Sequence, residues 1–242
     1  MQKIIVLNPK GGCGKTTIAT NLASYFANQG LRTSLMDYDP QGSSMRWIGK
    51  RGLDMPPING IRAFERNAGV TRSWQLRVST DTQRLIVDTP ASLDPQRLTE
   101  ITRGAHAVIV PVLPSDIDIH AASRCIADLL LVAKLDRRAE RIAVVANRVR
   151  RNTNMYQTLT RFLDNLSIPF IATLRDTQRY VQASTEGLSI YEIKPAHQTR
   201  DDRTEWDKII HWLESRPERG FESLGGNSAV PVETKIAPGG SY

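Results

Sequence analysis

A chain of 242 residues, 40% hydrophobic and 24% charged, can bury one sizeable core and is neither a disordered polyelectrolyte nor a membrane-embedded protein. Its 32 Lys and Arg against 25 Asp and Glu give a formal charge of +7, which suits plain solubility as well as attraction to nucleic acid or an acidic membrane surface. Apolar runs such as AVIVPVL and IADLLLVA are too short for a bilayer. No secretory pattern precedes the first strand, and Cys13 and Cys125 suggest neither a disulfide framework nor a CxxC metal motif, so a cytoplasmic protein is expected.

In chain order, KIIVLN (3–8) reads as a strand and NPKGGCGKTT as a loop opening a helix over 16–29. That helix carries Ile18, Leu22, Tyr25 and Phe26 at helical spacing, and Gly30 ends it. RTSLMD (32–37) is a second strand. Residues 48–83 lack a clear period, with GLDMPPING marking a loop. RLIVD (84–88), HAVIVPV (106–112), RIAVVAN (141–147) and IPFIAT (168–173) are further strands, with helices over 119–135 and 155–165. A last amphipathic helix over 203–215 places Trp206, Ile209, Ile210 and Leu213 near one face. From Arg216 the chain turns rich in Gly, Pro and Ser. The expected organisation is therefore one domain over 1–215 and a flexible tail over 216–242. Val/Ile/Leu runs without alternation suit strands buried on both faces, so the fold class is wound α/β, a mostly parallel sheet flanked by helices on both faces.

GGCGKTT lies where a phosphate loop must lie, after a strand and at the start of a helix. Gly11, Gly12 and Gly14 allow backbone N–H groups of this stretch, through Cys13, Lys15, Thr16 and Thr17, to converge on phosphate oxygens without an intervening Cβ. The helix N-terminus adds a favourable dipole. Lys15 can reach the outer phosphates, and Thr16 can offer its hydroxyl to Mg²⁺. A plain Gly-rich turn would not need Lys-Thr at that point.

The common pattern GxxxxGK[ST] is altered here. Residue 9 is Pro, the first glycine is missing, and KGGCGKT brings an additional lysine, Lys10. In this the chain resembles, from Met1 to about Ser215, the ParA/MinD family of deviant Walker A ATPases, which are P-loop NTPases. The resemblance implies ATP and Mg²⁺ as cofactors and a homodimer with ATP sandwiched in its interface. Lys10 would cross that interface to the partner's nucleotide. Two ammonium groups so close in sequence repel unless a polyphosphate lies between or beside them.

The same resemblance assigns further residues. In LMDYDPQGS, Asp39 would orient the attacking water and Asp37 would support the magnesium site through its water shell; Asp-Pro is also a plain turn signal. LIVDTP sets Asp88 where a Walker B acid stands. VVANRVR ends a strand with Asn147, which in this family reads adenine. PVLPSDIDIHAASR (111–124) resembles the stretch that follows the Walker B strand, with Pro111 and Pro114 shaping a loop near the nucleotide and the dimer seam.

Basic residues gather late in the chain, and partition ATPases of this family bind DNA without sequence preference through that half. Arg148, Arg150, Arg151, Arg175 and Arg179 are the DNA-binding candidates, although RDDR (200–203) shows that acids are interspersed. The implied partners are a second copy, double-stranded DNA of the nucleoid and a small cargo adaptor that stimulates hydrolysis. Among short members the wording is nearest to the carboxysome-distributing branch, with plasmid or chromosome partition next. No operator-binding extension is expected before the first strand. A membrane-associated MinD-like role fits poorly, because Pro and Gly interrupt the tail and its charges cancel. A nitrogenase-like iron protein lacks the cysteines for a shared cluster. A non-hydrolysing ATP-gated scaffold is the remaining alternative.

Overall fold

The computed structural model describes residues 1–65, 71, 75–136, 140–150, 153–165 and 168–216. Residues 217–242, most of the expected tail, lie outside the described residues, as does Arg151. The strands are β1 (Gln2–Val6), β2 (Thr33–Asp37), β3 (Ile58–Arg62), β4 (Arg84–Asp88), β5 (Ala107–Val112), β6 (Ile142–Val149) and β7 (Phe170–Arg175). The α-helices are α1 (Lys15–Asn28), α2 (Ser43–Ile48), α3 (Pro95–Thr102), α4 (Asp116–Leu131), α5 (Asn154–Asn165), α6 (Gln178–Thr185) and α7 (Arg200–Glu214).

Among the described residues the seven strands form one sheet in the order β3-β2-β4-β1-β5-β6-β7, and every pairing is parallel. The apolar runs explain this. Ile4, Val6, Ile86, Ile109 and Val145 point to one face and pack with Ile18, Leu22 and Phe26 of α1 and Trp206, Ile209 and Leu213 of α7. Ile5, Val87, Val108, Val110 and Val144 point to the other and pack with Leu98 and Ile101 of α3, Ile119 and Leu129 of α4 and Leu159 of α5. Strands covered on both sides carry no polar alternation. The wound sheet with helices on both faces is thus as the sequence indicates, and the sheet is parallel throughout.

The differences have local causes. β3 fell within the unassigned stretch because it is an edge strand that buries only Ile58 and Ile61 of its five residues. Helix α4 begins at Asp116, three residues before the periodic apolar pattern, because the Ser115 hydroxyl accepts from the Asp118 N–H. The short α3 depends on an Asp94 cap and Pro95 in its first turn rather than on a long period. Gly30 does end α1, with φ of +76° and its N–H on the Ala27 carbonyl at 3.0 Å.

From central β1 the chain winds first toward β2 and later toward β5, on opposite sides. The loop after β1 therefore sits at the carboxyl edge where the winding reverses, the usual crevice for ligands in such sheets.

Candidate functional site

The loop between β1 and α1 needs its glycines for conformation. Gly12 and Gly14 have φ of +75° and +94°, and a Cβ on Gly14 would lie 2.0 Å from Asn147 Nδ2. Among the described residues no side chain caps α1, which leaves its first amides to an anion. Lys15 is 6% exposed. Its ammonium donates to the Lys10 carbonyl at 2.9 Å and lies 3.9 Å from Cys13 Sγ. The Cys13 thiol donates to the same carbonyl at 3.2 Å, and burial pushes its pKa up against the pull of Lys15. Lys15 thus rests on a neutral acceptor, and a phosphate oxygen is a stronger one.

Lys10 serves this loop with its backbone. Its N–H donates to Asn8 Oδ1 at 2.8 Å, and Asn8 Nδ2 donates to the Pro111 carbonyl at 2.6 Å. Its own ammonium has no hydrogen bond or ion pair among the described residues. The two lysines therefore differ already in the isolated chain: one is folded into the loop and the other is uncommitted.

Two acids stand opposite the loop. Asp37 and Asp88 end β2 and β4, are register partners, and are 0% and 1% exposed. The Asp37 carboxylate accepts from the Asp39 N–H at 2.9 Å and the Met45 N–H at 3.4 Å. Burial raises its pKa to about 6 against those bonds, and the Asp39 charge adds to the rise. Asp88 Oδ2 accepts from the Ser44 hydroxyl at 2.5 Å, while Oδ1 is buried with no hydrogen-bond partner among the described residues. Burial lifts Asp88 to about 7, opposed by Ser44, reinforced by the Asp37 charge, and eased by the neighbouring Thr16 hydroxyl and Lys15. A buried, orphaned carboxylate oxygen beside a hydroxyl and a second carboxylate is costly by itself and fits a hydrated divalent cation. Thr16, Asp37 and Asp88, the expected metal set, are thus brought together.

Asp39 is half-buried, and its Oδ1 accepts from the Gln41 N–H at 2.9 Å. The turn expected of Asp-Pro is present, made by the same carboxylate that the sequence marks for catalysis. Thr17 continues the first turn of α1, its carbonyl accepting from Asn21 Nδ2 at 2.8 Å. Ser44 and Asp118 in the site, and Asn8 beneath it, are residues that the sequence does not single out. Asp118, 6% exposed, keeps Oδ1 without a partner among the described residues and helps to raise the Cys13 pKa. Asp118 falls in a helix-capping pattern, Ser115-x-x-Asp118, that says nothing of the site, and Asn8 and Ser44 become visible only once the sheet sets Pro111 and Asp88 beside them.

Asn147 reaches the loop because β6 is bulged. Ala146 pairs with Thr173 and Val149 with Arg175, so Asn147 and Arg148 together oppose Leu174. The bulge gives Arg148 a φ of +52° and turns Asn147 inward, where Nδ2 donates to the Cys13 carbonyl at 2.7 Å. The amide expected at the base is thus engaged with the loop through its nitrogen.

Each described DNA candidate has an acidic partner. Arg148 and Arg150 share Asp176 at 3.5 and 3.0 Å, with side chains 60% and 78% exposed. Arg175 grips fully buried Asp202 at 2.6 and 2.8 Å, and Arg179 approaches it to 3.7 Å. The first pair forms a surface ridge. The second is a clamp between β7 and α7 in which two part-exposed arginines cover a buried acid.

Residues 4–190 match the family described as the CobQ/CobB/MinD/ParA nucleotide binding domain. Among curated proteins the chain is similar to "Maintenance of carboxysome distribution protein A" of Halothiobacillus neapolitanus, 28% identical over 78% of this chain and 87% of that protein. The protein of the same description from Gloeobacter kilaueensis is 32% identical over 78% and 83%. Among solved structures, that of apo McdA from Cyanothece superposes with a TM-score of 0.69 at 15% identity, covering 88% of this chain and 99% of that one.

Proposed function

This chain belongs to the CobQ/CobB/MinD/ParA nucleotide-binding family, and from that premise we propose that it is an ATP-hydrolysing, ParA-type positioning ATPase. The observation that carries the proposal is the pairing of a phosphate loop with the buried oxygen of Asp88 that has no hydrogen-bond partner among the described residues. Backbone amides from Gly11 to Thr17 would bind the phosphate chain, with Lys15 leaving the Lys10 carbonyl for the outer phosphate oxygens. Thr16, Asp37 and Asp88 would hold Mg²⁺, which when bound neutralises charge that develops on the phosphates. Asp39 would orient the attacking water with the oxygen not used by Gln41. Asn147 would meet the adenine edge while steadying Cys13.

Lys10 would reach the nucleotide of a second copy, so that ATP joins two subunits face to face. The dimer would hold nucleoid DNA without sequence preference, Arg148 and Arg150 forming the exposed ridge. An adaptor protein would stimulate hydrolysis and release. The curated relatives, named for carboxysome distribution, support carboxysomes as the cargo. Location in the cytoplasm on the nucleoid follows from these roles. Among the described residues no helix is long and apolar enough to cross a membrane.

Phosphate release from Mg²⁺-ATP, with and without linear DNA, tests the reading. Wild type should hydrolyse slowly, and Asp39→Ala should lower the rate about a hundredfold while still binding ATP. Undiminished hydrolysis in Asp39→Ala would overturn its role. A wild type that binds ATP but never releases phosphate, even with its adaptor, would make the protein a scaffold.

A further inference from the structure

Lys10 is the residue through which both limbs of the phosphate loop are joined. Its N–H is held by Asn8, its carbonyl receives the Lys15 ammonium and the Cys13 thiol, and its ammonium is free among the described residues. Asn8 is 1% exposed and uses both ends of its amide. One end is fixed to the Pro111 carbonyl in β5, and the other to the peptide that carries Lys10. A peptide pinned on its N–H side cannot turn that N–H toward a phosphate. Its orientation in turn sets the direction in which the Lys10 Cα–Cβ bond leaves the loop.

We propose that Asn8 is the positioning residue that aims Lys10 out of the loop. This rests on the reading of Lys10 as the group that crosses to a second copy. Asn8 itself touches no phosphate; it transmits the position of β5 to Lys10, while Lys15 and the glycines keep their own hold on nucleotide. The economy is physical. A long, uncommitted lysine carries much rotamer entropy, and fixing the backbone beneath it reduces what must be ordered when the partner arrives.

The test uses the full chain with Asn8→Ala, Lys10→Ala and the double variant. ADP affinity, dimerisation driven by Mg²⁺ and a non-hydrolysable ATP analogue, and amide exchange at Lys10 are measured. Asn8→Ala should keep ADP affinity within about threefold and speed exchange at Lys10 at least about tenfold. It should weaken the dimer about tenfold, whereas Lys10→Ala and the double variant should both stay monomeric. Asn8→Asp keeps the acceptor for the Lys10 N–H but loses the donor to the Pro111 carbonyl and sets a buried carboxylate against it, so it should be as defective as Asn8→Ala. Wild-type dimerisation in Asn8→Ala, or an Asn8→Asp that dimerises like wild type, would each overturn the proposal. Should wild type itself stay monomeric, the dimer reading falls, and exchange still decides for Asn8. Acceleration confined to Lys10 upholds the contact, and unchanged exchange rejects it.

Discussion

At the residue scale the site is a set of backbone constraints as much as a set of charged groups. Gly14 combines a φ of +94° with a Cβ position 2.0 Å from Asn147 Nδ2. Gly14→Ala should therefore cost about 2 kcal/mol or more in urea unfolding and lower nucleotide affinity with it. The glycine and both lysines were legible from KGGCGKT, since their spacing is the chemistry. Asn8 and Ser44 were not, because their partners Pro111 and Asp88 are brought near only by the sheet. Glu192 is another such residue. Although burial opposes ionisation, bonds from Arg51, Asn28 and the Ser189 N–H hold it down to about 2. A carboxylate whose pKa falls on folding stabilises above its unfolded value, near 4.5, and that contribution is lost as pH drops toward 2. Wild type should thus lose stability steeply across that window, whereas Glu192→Gln should be flatter there. The variant should already be about 3 kcal/mol weaker at neutral pH, because Arg51 stays buried without its partner.

At the scale of elements, the arginines separate by what lies beneath them. Arg175 neutralises an Asp202 that is 0% exposed, joining β7 to α7. Arg175→Ala should cost about 1–2 kcal/mol in thermal or urea unfolding, since its guanidinium is 40% exposed and Arg179 stays 3.7 Å from Asp202, so a loss of DNA binding there also reports on the fold. Arg148→Ala with Arg150→Ala removes exposed pairs to Asp176 and should change stability by less than about 1 kcal/mol. If both contact phosphates, the slope of log affinity against log salt should flatten by about 2 per DNA-bound subunit in that double variant. Most strands were readable because runs such as AVIVPV bury every residue. β3 was not, since INGIR buries only its first and fourth positions. The β6 bulge was equally hidden: nothing in VVANRVR says that Asn147 and Arg148 share one partner position.

For the whole molecule, the order β3-β2-β4-β1-β5-β6-β7 brings the phosphate loop, both buried acids and the Asn147 bulge to one carboxyl edge. The winding, not any single motif, makes them neighbours, and it leaves Lys10 as the cation there with no partner among the described residues in its own subunit. Association of two copies through that edge would be isologous, each Lys10 serving the other's nucleotide. Sedimentation velocity with Mg²⁺ and a non-hydrolysable ATP analogue tests this most directly. Wild type should shift from monomer to dimer, while Lys10→Ala should bind the analogue and remain monomeric. A Lys10→Ala dimer of wild-type stability would contradict the account.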